Sequence, residues 1–282
     1  RWILYDGDVD ALWVENMNSV MDDNRLLTLP NGERIRLAPH CCMIVETFDL
    51  QYASPATISR CGMVWVDPKN LGFLPYYERW VRLRFGNGVE IAEEKQAQAD
   101  QYTALYEKYV PKCIDLILSG IVDGEMGQRL KQVIPITNIY LVKQLCSALD
   151  CFVDKELTDA MDVEHLYIFC TTWSMGAALV GDARIRFDEF LKRISRENLP
   201  DTLLYDNFYD VEKKKWEKWQ TQVPSYKEPA PFRFYEVMVP TTDSVVYSYL
   251  LATLAPARPI LFVGESGTAK TTVIQQYLSQ RP

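Results

Sequence analysis

A short apolar run that breaks into a glycine-containing loop, at residues 259–271, constrains the fold of this chain more than any other stretch. Its sequence is PILFVGESGTAKT. Residues 260–263 have the continuous apolar character of a strand buried on both faces, and residues 271–278 can continue as a helix. A strand, a glycine loop ending in Lys-Thr and a helix, in this order, are typical of a phosphate-binding loop. The alternative is a Gly/Ser/Thr turn that happens to precede a helix.

The residue types in this loop suit a nucleotide and its Mg²⁺. Gly264 and Gly267 allow a tight turn whose N–H groups point at a phosphate, and the N-terminus of the following helix adds partial positive charge. Lys270 is expected to reach the β- and γ-phosphates, and the Thr271 hydroxyl to hold Mg²⁺. Ala269 departs from the usual pattern, which has glycine before the lysine. The predicted nucleotide-binding residues of the loop are Gly264, Glu265, Ser266, Gly267, Thr268, Ala269, Lys270 and Thr271.

The overall composition argues against several classes of protein. The chain has 282 residues, enough for about two domains. Its net charge of −8 argues against a nucleic-acid-binding surface. The seven cysteines include no CxxC pair and there are two histidines, so we predict reduced cysteines rather than a zinc site or a disulfide framework. No apolar run approaches about 18 residues, which predicts no membrane-spanning helix.

A second motif lies near the start of the chain, where the apolar residues 2–5 are followed by Asp6. This is the pattern of a buried parallel strand that delivers a carboxylate at its end, the position where P-loop NTPases hold Mg²⁺. Gly7 follows, where ATP-hydrolysing proteins of this kind usually have a glutamate. The alternative is that Asp6 merely opens a turn or caps the following helix.

The order of these two motifs bears on domain organisation. Within one P-loop domain the phosphate loop precedes the acid-ended strand, whereas here Asp6 comes first and the loop follows at residue 264. The sequence therefore predicts the end of one nucleotide-binding module and the start of the next. Because the chain begins without Met and few residues follow the loop, we expect a fragment of a longer protein.

Between the motifs, the first part of the chain has α/β character. Helical spacing predicts a helix over residues 10–21, and Asn31-Gly32 predicts a hairpin within residues 26–37. Residues 41–48 and 62–66 have the pattern of buried strands. This order is consistent with the second half of an α/β nucleotide-binding domain.

The middle of the chain is predicted to be helical, and its Met and aromatic residues are assigned to a core rather than a cofactor site. Residues 198–233 are interpreted as a solvated strand or connector; the alternative is a phosphate-binding patch around Lys213 to Trp219. The polar residues 239–243 are predicted to cap a helix over 244–254. The other predicted helices cover residues 89–113, 113–121, 139–152, 163–179 and 187–194.

Five stretches carry a resemblance to a known family. Residues 6–10, 13–24, 27–34 and 53–65 closely resemble the second AAA+ module of dynein heavy chains, and residues 267–271 resemble the third module of axonemal forms. The resemblance implies an α/β fold, a partial AAA+ P-loop NTPase core with an all-helical lid subdomain, followed by the start of a second AAA+ core. The implied domains are residues 1–69 for the end of the second module's core, 70–232 for its lid and connector, and 233–282 for the start of the third module.

The resemblance also implies roles for particular residues. Asp6 matches the second module's Mg²⁺ carboxylate, with Gly7 in place of the catalytic glutamate. Asp49 matches the sensor-1 position, and Arg60 matches an arginine finger that acts in trans on the nucleotide of the first module. Val239 and Pro240 resemble the segment that lies over the adenine of the third module.

The implied function is that of a piece of an axonemal dynein heavy chain, an ATP-driven motor that moves toward microtubule minus ends. The implied cofactors are ATP or ADP and Mg²⁺. The implied partners are the other AAA+ modules, microtubules through domains absent here, and intermediate and light chains, with no nucleic acid or membrane. The implied location is the cytoplasm, cytoskeleton and axoneme of a cilium or flagellum. The isolated chain is predicted to lack ATPase activity, and the alternatives are a non-motor AAA+ remodelling protein and a purely structural nucleotide-binding module.

Overall fold

The computed structural model of the chain describes residues 3–4, 6–7, 9–195, 197–226 and 239–279. The chain divides into two compact units, Arg1–Asn70 and Leu71–Pro282. Among the described residues, no helix is both long and apolar enough to cross a membrane. All seven cysteines are free.

The first unit consists of short helices and one hairpin. Asp10 caps the first helix by accepting a hydrogen bond from the Leu12 backbone N–H at 3.0 Å. The helix predicted over residues 10–21 is confirmed, but a 3₁₀ turn at Glu15–Met17 divides it into two short helices, α1 (Ala11–Val14) and α2 (Asn18–Met21). The elements of this part are α1 Ala11–Val14, α2 Asn18–Met21, β1 Leu26–Thr28, β2 Arg34–Arg36, α3 Pro55–Ile58 and α4 Pro68–Leu71.

The hairpin signal at Asn31-Gly32 is also confirmed. β1 pairs with β2 in antiparallel register, with Leu27 opposite Ile35. Gly32 has φ +84°, a conformation that glycine adopts at no steric cost. The Asn31 side chain accepts a hydrogen bond from the Glu33 backbone N–H at 3.0 Å and fixes the turn.

The strand predictions for residues 41–48, 62–66 and 260–263 are wrong for this structure, which has no strand there. The described residues contain three two-stranded antiparallel hairpins and no parallel pair. A single apolar run cannot form a strand without a neighbour, since strand hydrogen bonds lie between chains of the sheet rather than within one segment. The apolar side chains of these runs are accordingly exposed, as at Phe48 (99%) and Val64 (83%). Of the predicted strand at residues 2–5, residues 2 and 5 lie outside the described residues.

The second unit is mainly helical, as predicted for its middle part. Its helix α6 ends in a π-helical turn, Asp115–Ser119, which Gly120 terminates with φ +72°. The predicted helix over 89–113 begins later than expected, because residues 86 and 91 pair in a β-bridge. The helices are α5 Leu74–Phe85, α6 Gln96–Ile114, α7 Asn138–Phe152, α8 Ala160–Ser174, α9 Asp182–Ser195, α10 Thr242–Leu254 and α11 Lys270–Ser279; the hairpins are β3 Ile121–Val122 with β4 Glu125–Met126, and β5 Asn207–Asp210 with β6 Lys215–Lys218.

The core of this helical region is unusually aromatic. The rings of Tyr77 on α5 and Tyr106 on α6 stack with centroids 4.1 Å apart. Tyr102 and Tyr109 of α6 pack near Tyr167 of α8, with centroids 6.4 and 6.0 Å away. All five side chains are buried, so the assignment of these aromatic residues to a core is confirmed.

A buried arginine fastens α5 to the C-terminal end of α7. The side chain of Arg84 is 1% exposed, and its Nη1 donates to the Leu149 carbonyl at 3.2 Å and to Asp150 Oδ1 at 3.1 Å. Its Nη2 donates to the Val153 carbonyl at 2.7 Å. A cation at this end of a helix also interacts favourably with the helix dipole.

Helix α10 begins with a strong N-terminal cap and packs on the helical region. The Thr241 hydroxyl accepts from the Ser244 N–H at 3.1 Å, while the Ser244 hydroxyl accepts from the Thr241 N–H at 2.9 Å. The capped helix predicted here is therefore confirmed. Farther along, the Tyr249 ring lies 5.8 Å from Phe152 and 5.1 Å from Trp219.

Candidate nucleotide site and a paired arginine

The glycine loop lies at the N-terminus of α11, as the sequence predicts. The helix begins at Lys270, and its first bond joins the Val273 N–H to the Ala269 carbonyl at 3.1 Å. Gly267 has φ +80°. A Cβ on Gly264 would lie 3.2 Å from Thr268 Oγ1, which is tighter than an ordinary contact. Glycine at 264 therefore permits the close approach on which the shape of the loop depends.

Lys270 folds back over the loop that precedes it. Its Nζ donates to the Gly264 carbonyl at 2.9 Å, to the Glu265 carbonyl and to Thr268 Oγ1, which lies 3.2 Å away. The Thr268 hydroxyl in turn donates to the Glu265 carbonyl at 2.8 Å. The arrangement holds a positive charge at the centre of the loop, beside the N-terminus of a helix, where an anion is favoured.

Two further residues of the loop have side chains available to a ligand. Ser266 and Thr271 are exposed, and among the described residues no hydrogen bond to either hydroxyl is found. A free hydroxyl on Thr271, next to the lysine, is the group that a P-loop offers to Mg²⁺. Within residues 239–279 the chain therefore presents the donor set that a nucleotide with its metal requires.

Ala269 adopts a backbone conformation that alanine avoids. Its φ is +58°, in the left-handed region. For a residue with a Cβ this conformation costs roughly 1–2 kcal/mol, whereas glycine adopts it freely. The structure thus gives the physical reason why glycine is usual at this position.

The residues predicted to lie over the adenine stand just before α10. Val239 is 59% exposed and Pro240 is half-buried. Helix α10 packs against α11, and Tyr247 of α10 lies edge-on to Phe262, with ring centroids 6.5 Å apart. Within residues 239–279 no hydrogen bond joins Val239 or Pro240 to the loop.

The remaining predicted site residues, Asp6, Asp49 and Arg60, belong to the first unit. Asp6 is exposed. The exposed Asp49 accepts a hydrogen bond from the Gln51 N–H at 3.1 Å in a local turn. Among the described residues of this unit, no hydrogen bond joins any two of these three side chains.

Arg60 follows the short helix α3, whose start is well defined by sequence. Ser54 caps the helix by accepting from the Thr57 N–H at 3.3 Å, and Pro55 occupies the first turn. The Arg60 Nη1 donates to the Ala56 carbonyl at 2.6 Å, and Nε donates to Asp22 Oδ1. The Asp22 partner was not predicted, because the two residues are 38 positions apart and no local pattern connects them.

A separate cavity of about 600 Å³ lies between α8 and the β5–β6 hairpin. His165, 5% exposed, lines it, and neither of its ring nitrogens has a hydrogen-bond partner among the described residues, nor does Nε1 of Trp216. Burial lowers the pKa of His165, against the opposing effect of the carboxylates of Glu197, Glu164 and Asp162. The Lys213 to Trp219 segment forms the hairpin, with Lys213 paired to Glu217 at 3.1 Å, so its lysines are partly neutralised.

Comparison with known families identifies two matching regions. Residues 102–221 match the dynein heavy chain AAA lid domain, and residues 226–282 match the P-loop containing dynein motor region. The first match covers the helical region from residue 102 onward, and the second includes the glycine loop.

Comparison with individual proteins gives similarity over almost the whole chain. The chain is 46% identical, over 99% of its length, to the dynein-1-alpha heavy chain of the flagellar inner arm I1 complex from Chlamydomonas reinhardtii. It is 44% identical over 99% of its length to human dynein axonemal heavy chain 10, and 35% identical over its full length to human dynein axonemal heavy chain 2. The chain spans 6% of the length of each of these relatives.

Proposed function

This chain belongs to the dynein heavy chain family, and we propose that it serves as one segment of an ATP-driven motor that moves along microtubules toward their minus ends. Its fold is that of an AAA+ protein with a helical lid. The motor activity belongs to the complete heavy chain. The relatives are about seventeen times as long as this chain, which spans 6% of their length. The single observation that carries the proposal is the glycine loop with Lys270 at the start of α11, within the region matched by the P-loop family.

The loop at residues 264–271 is proposed to bind ATP or ADP with Mg²⁺ in the third module. Lys270 would turn from the loop carbonyls to the β- and γ-phosphates, and the Thr271 hydroxyl would hold the metal. Val239 and Pro240 would lie over the adenine. The loop itself would bind and orient the phosphates of that nucleotide.

The first unit is proposed to complete the second module. Asp6 would hold Mg²⁺ there, and Asp49 would act as sensor 1. Because Gly7 stands where a water-activating glutamate is usual, this module is proposed to retain ATP without hydrolysing it. It would then act as a structural strut rather than as a source of turnover.

Arg60 is proposed to be an arginine finger for the nucleotide of the first module. A guanidinium stays ionised and presents a planar set of donors that suits the charge on a transferring phosphoryl group. Its position after a capped helix and its 30% side-chain exposure support this role. The alternative is that Arg60 forms only an ordinary surface ion pair.

The proposed partners are the other AAA+ modules of the same chain, microtubules, and intermediate and light chains. The proposed location is the axoneme of a cilium or flagellum. Support comes from the relatives, one of which is a flagellar inner-arm heavy chain and two of which are axonemal heavy chains.

The loop assignment is tested in the complete heavy chain with Lys270→Ala. We expect binding of a fluorescent ATP analogue at the third module to be lost, while Lys143→Ala on the lid helix α7 leaves binding unchanged. Equal binding by Lys270→Ala and the wild type, measured with the other nucleotide sites disabled, would show that the loop is only a turn before a helix.

A further inference from the structure

Residues 18–22 contact the Arg60 segment at three successive positions. The Thr57 hydroxyl, on a residue that is 3% exposed, donates to Asn18 Oδ1 at 3.0 Å. One turn later the Cys61 thiol lies 3.8 Å from the Met21 sulfur. The third contact is the ion pair between Asp22 and Arg60. Residues 18–22 therefore contact Thr57 in α3 and Arg60 and Cys61 just beyond it, and they hold the backbone from which Arg60 projects.

The hydrogen bonds of Arg60 use two of the three nitrogens of its guanidinium. Nε donates to Asp22 and Nη1 donates to the Ala56 carbonyl at 2.6 Å. No hydrogen bond donated by Nη2 is found among the described residues. The side chain is held by two acceptors that belong to its own unit, and the N–H groups of Nη2 are available to a ligand.

We propose that Asp22 is a positioning residue for Arg60, which it holds in one orientation so that the Nη2 edge is presented to the phosphoryl group of the neighbouring module's nucleotide. The inference rests on the proposed role of Arg60 as an arginine finger. An arginine side chain has many rotamers, and ordering it before the reaction removes an entropy loss from the transition state. Asp22 would not touch the nucleotide. Its effect is on turnover rather than on binding.

The test compares two adjacent carboxylates in the complete heavy chain. Asp22→Asn removes the negative charge that pairs with Arg60. Asp23→Asn removes the same charge from the next residue, which is exposed and forms no ion pair with Arg60 among the described residues. We expect Asp22→Asn to lower the kcat of the first module's ATPase by roughly tenfold with KM within about twofold of the wild type. Asp23→Asn should match the wild type, and Asp22→Glu should restore part of the lost turnover.

A double variant separates positioning from a general structural effect. If Asp22 acts only through Arg60, then Asp22→Asn combined with Arg60→Ala should have the same kcat as Arg60→Ala alone. Multiplying effects in the double variant, or equal turnover in Asp22→Asn and Asp23→Asn, would overturn the inference. Thermal unfolding of Asp22→Asn and Asp22→Glu shows whether a loss of turnover comes from misfolding. Turnover restored by Glu, with an unfolding temperature equal to that of the wild type, supports positioning.

The same set of variants distinguishes this inference from the function on which it rests. Wild-type turnover in Arg60→Ala would overturn the arginine finger itself. Collapse of turnover in Arg60→Ala together with wild-type turnover in Asp22→Asn would leave the finger in place and overturn only the role of Asp22.

Discussion

The helical region at residues 71–226 buries its large apolar side chains, whereas the segments that carry the predicted nucleotide-binding residues expose many of theirs. In the helical region, large residues such as Tyr109, Tyr167 and Phe187 have no exposed surface. In the segments around Asp49 and before the glycine loop, apolar residues such as Phe48 (99% exposed) and Leu261 (78% exposed) lie at the surface.

The difference arises from where each kind of structure finds its hydrogen bonds. A helix pairs its backbone groups within one segment, so α5 to α9 can form and then pack their apolar faces together. A strand needs at least one neighbouring strand, and each apolar run here lacks one among the described residues. The lid carries its own core, whereas the apolar residues of the site-bearing segments find no strand partner among the described residues.

The largest expected effect is on ATP turnover and not on stability. Arg60→Ala in the complete heavy chain should lower turnover by about 10³ to 10⁵, equivalent to about 4–7 kcal/mol of barrier, with ATP binding at the first module largely retained. Arg60→Lys should rescue little, because the planar donor geometry is lost. Gliding speed and single-site ATPase rates measure the effect. Gliding of Arg60→Ala at near wild-type speed would show that Arg60 is an ordinary surface charge and not an arginine finger.

The next effect concerns the lid alone. Arg84→Ala should lower the free energy of unfolding by about 2–4 kcal/mol, because the two carbonyls lose a buried charged donor while Asp150 keeps its bond from Trp80 Nε1. Its control is Arg82→Ala, two residues away on α5, whose side chain is 46% exposed and pairs with Glu78 at 3.6 Å. That control should cost less than about 1 kcal/mol. Urea unfolding followed by circular dichroism measures both, and equal losses would contradict the importance assigned to the buried arginine.

A smaller effect is expected at the glycine loop. Ala269→Gly removes the cost of φ +58° and should tighten nucleotide binding at the third module by about fivefold, or about 1 kcal/mol. Ala252→Gly, at an exposed position in α10, is the matched control and should leave binding unchanged while weakening the helix slightly. Titration with a fluorescent ATP analogue compares them. Weaker binding by Ala269→Gly would mean that the left-handed conformation is not the one that binds nucleotide.

The smallest effect is a dependence of lid stability on pH. Because burial lowers the pKa of His165, the unfolded chain takes up a proton near pH 6.5 that the folded lid resists. Stability should therefore be full above about pH 6.5 and should fall as the pH decreases below it. His165→Phe should flatten this part of the profile in urea unfolding between about pH 5.5 and 7.5, within which range the ordinary carboxylates stay ionised. An unchanged slope would exclude His165 as its source.

Local signals predicted the local parts of this structure. The turn at Asn31-Gly32, the cap at Thr241 and the loop around Gly267 each depend on residues within a few positions of one another, and each is found where predicted. The family comparison then confirmed the AAA+ assignment. The proposed domain bounds and the roles of Asp6, Asp49 and Arg60 stay predictions.

Features that depend on contacts between residues far apart in the chain were not predicted from the sequence. Helix α5 was not among the predicted helices, and nothing in its local sequence indicates that Arg84 is buried against the end of a helix 65 residues away. The Asp22 partner of Arg60 is equally invisible in the local pattern. The apolar runs at 41–48, 62–66 and 260–263 have strand character, but strand formation needs a partner that the run itself does not encode.

The contact of Tyr249 with Phe152 and Trp219 has a mechanical consequence. Phe152 and Trp219 lie in the region matched by the lid family, whereas Tyr249 belongs to α10 in the region matched by the P-loop family. Helix α10 also packs on α11, the helix that follows the glycine loop. A displacement of α11 would therefore reach α7 through α10 and the ring of Tyr249, which is 42% exposed. The junction between the two matched regions is a direct mechanical link within one compact unit of the chain.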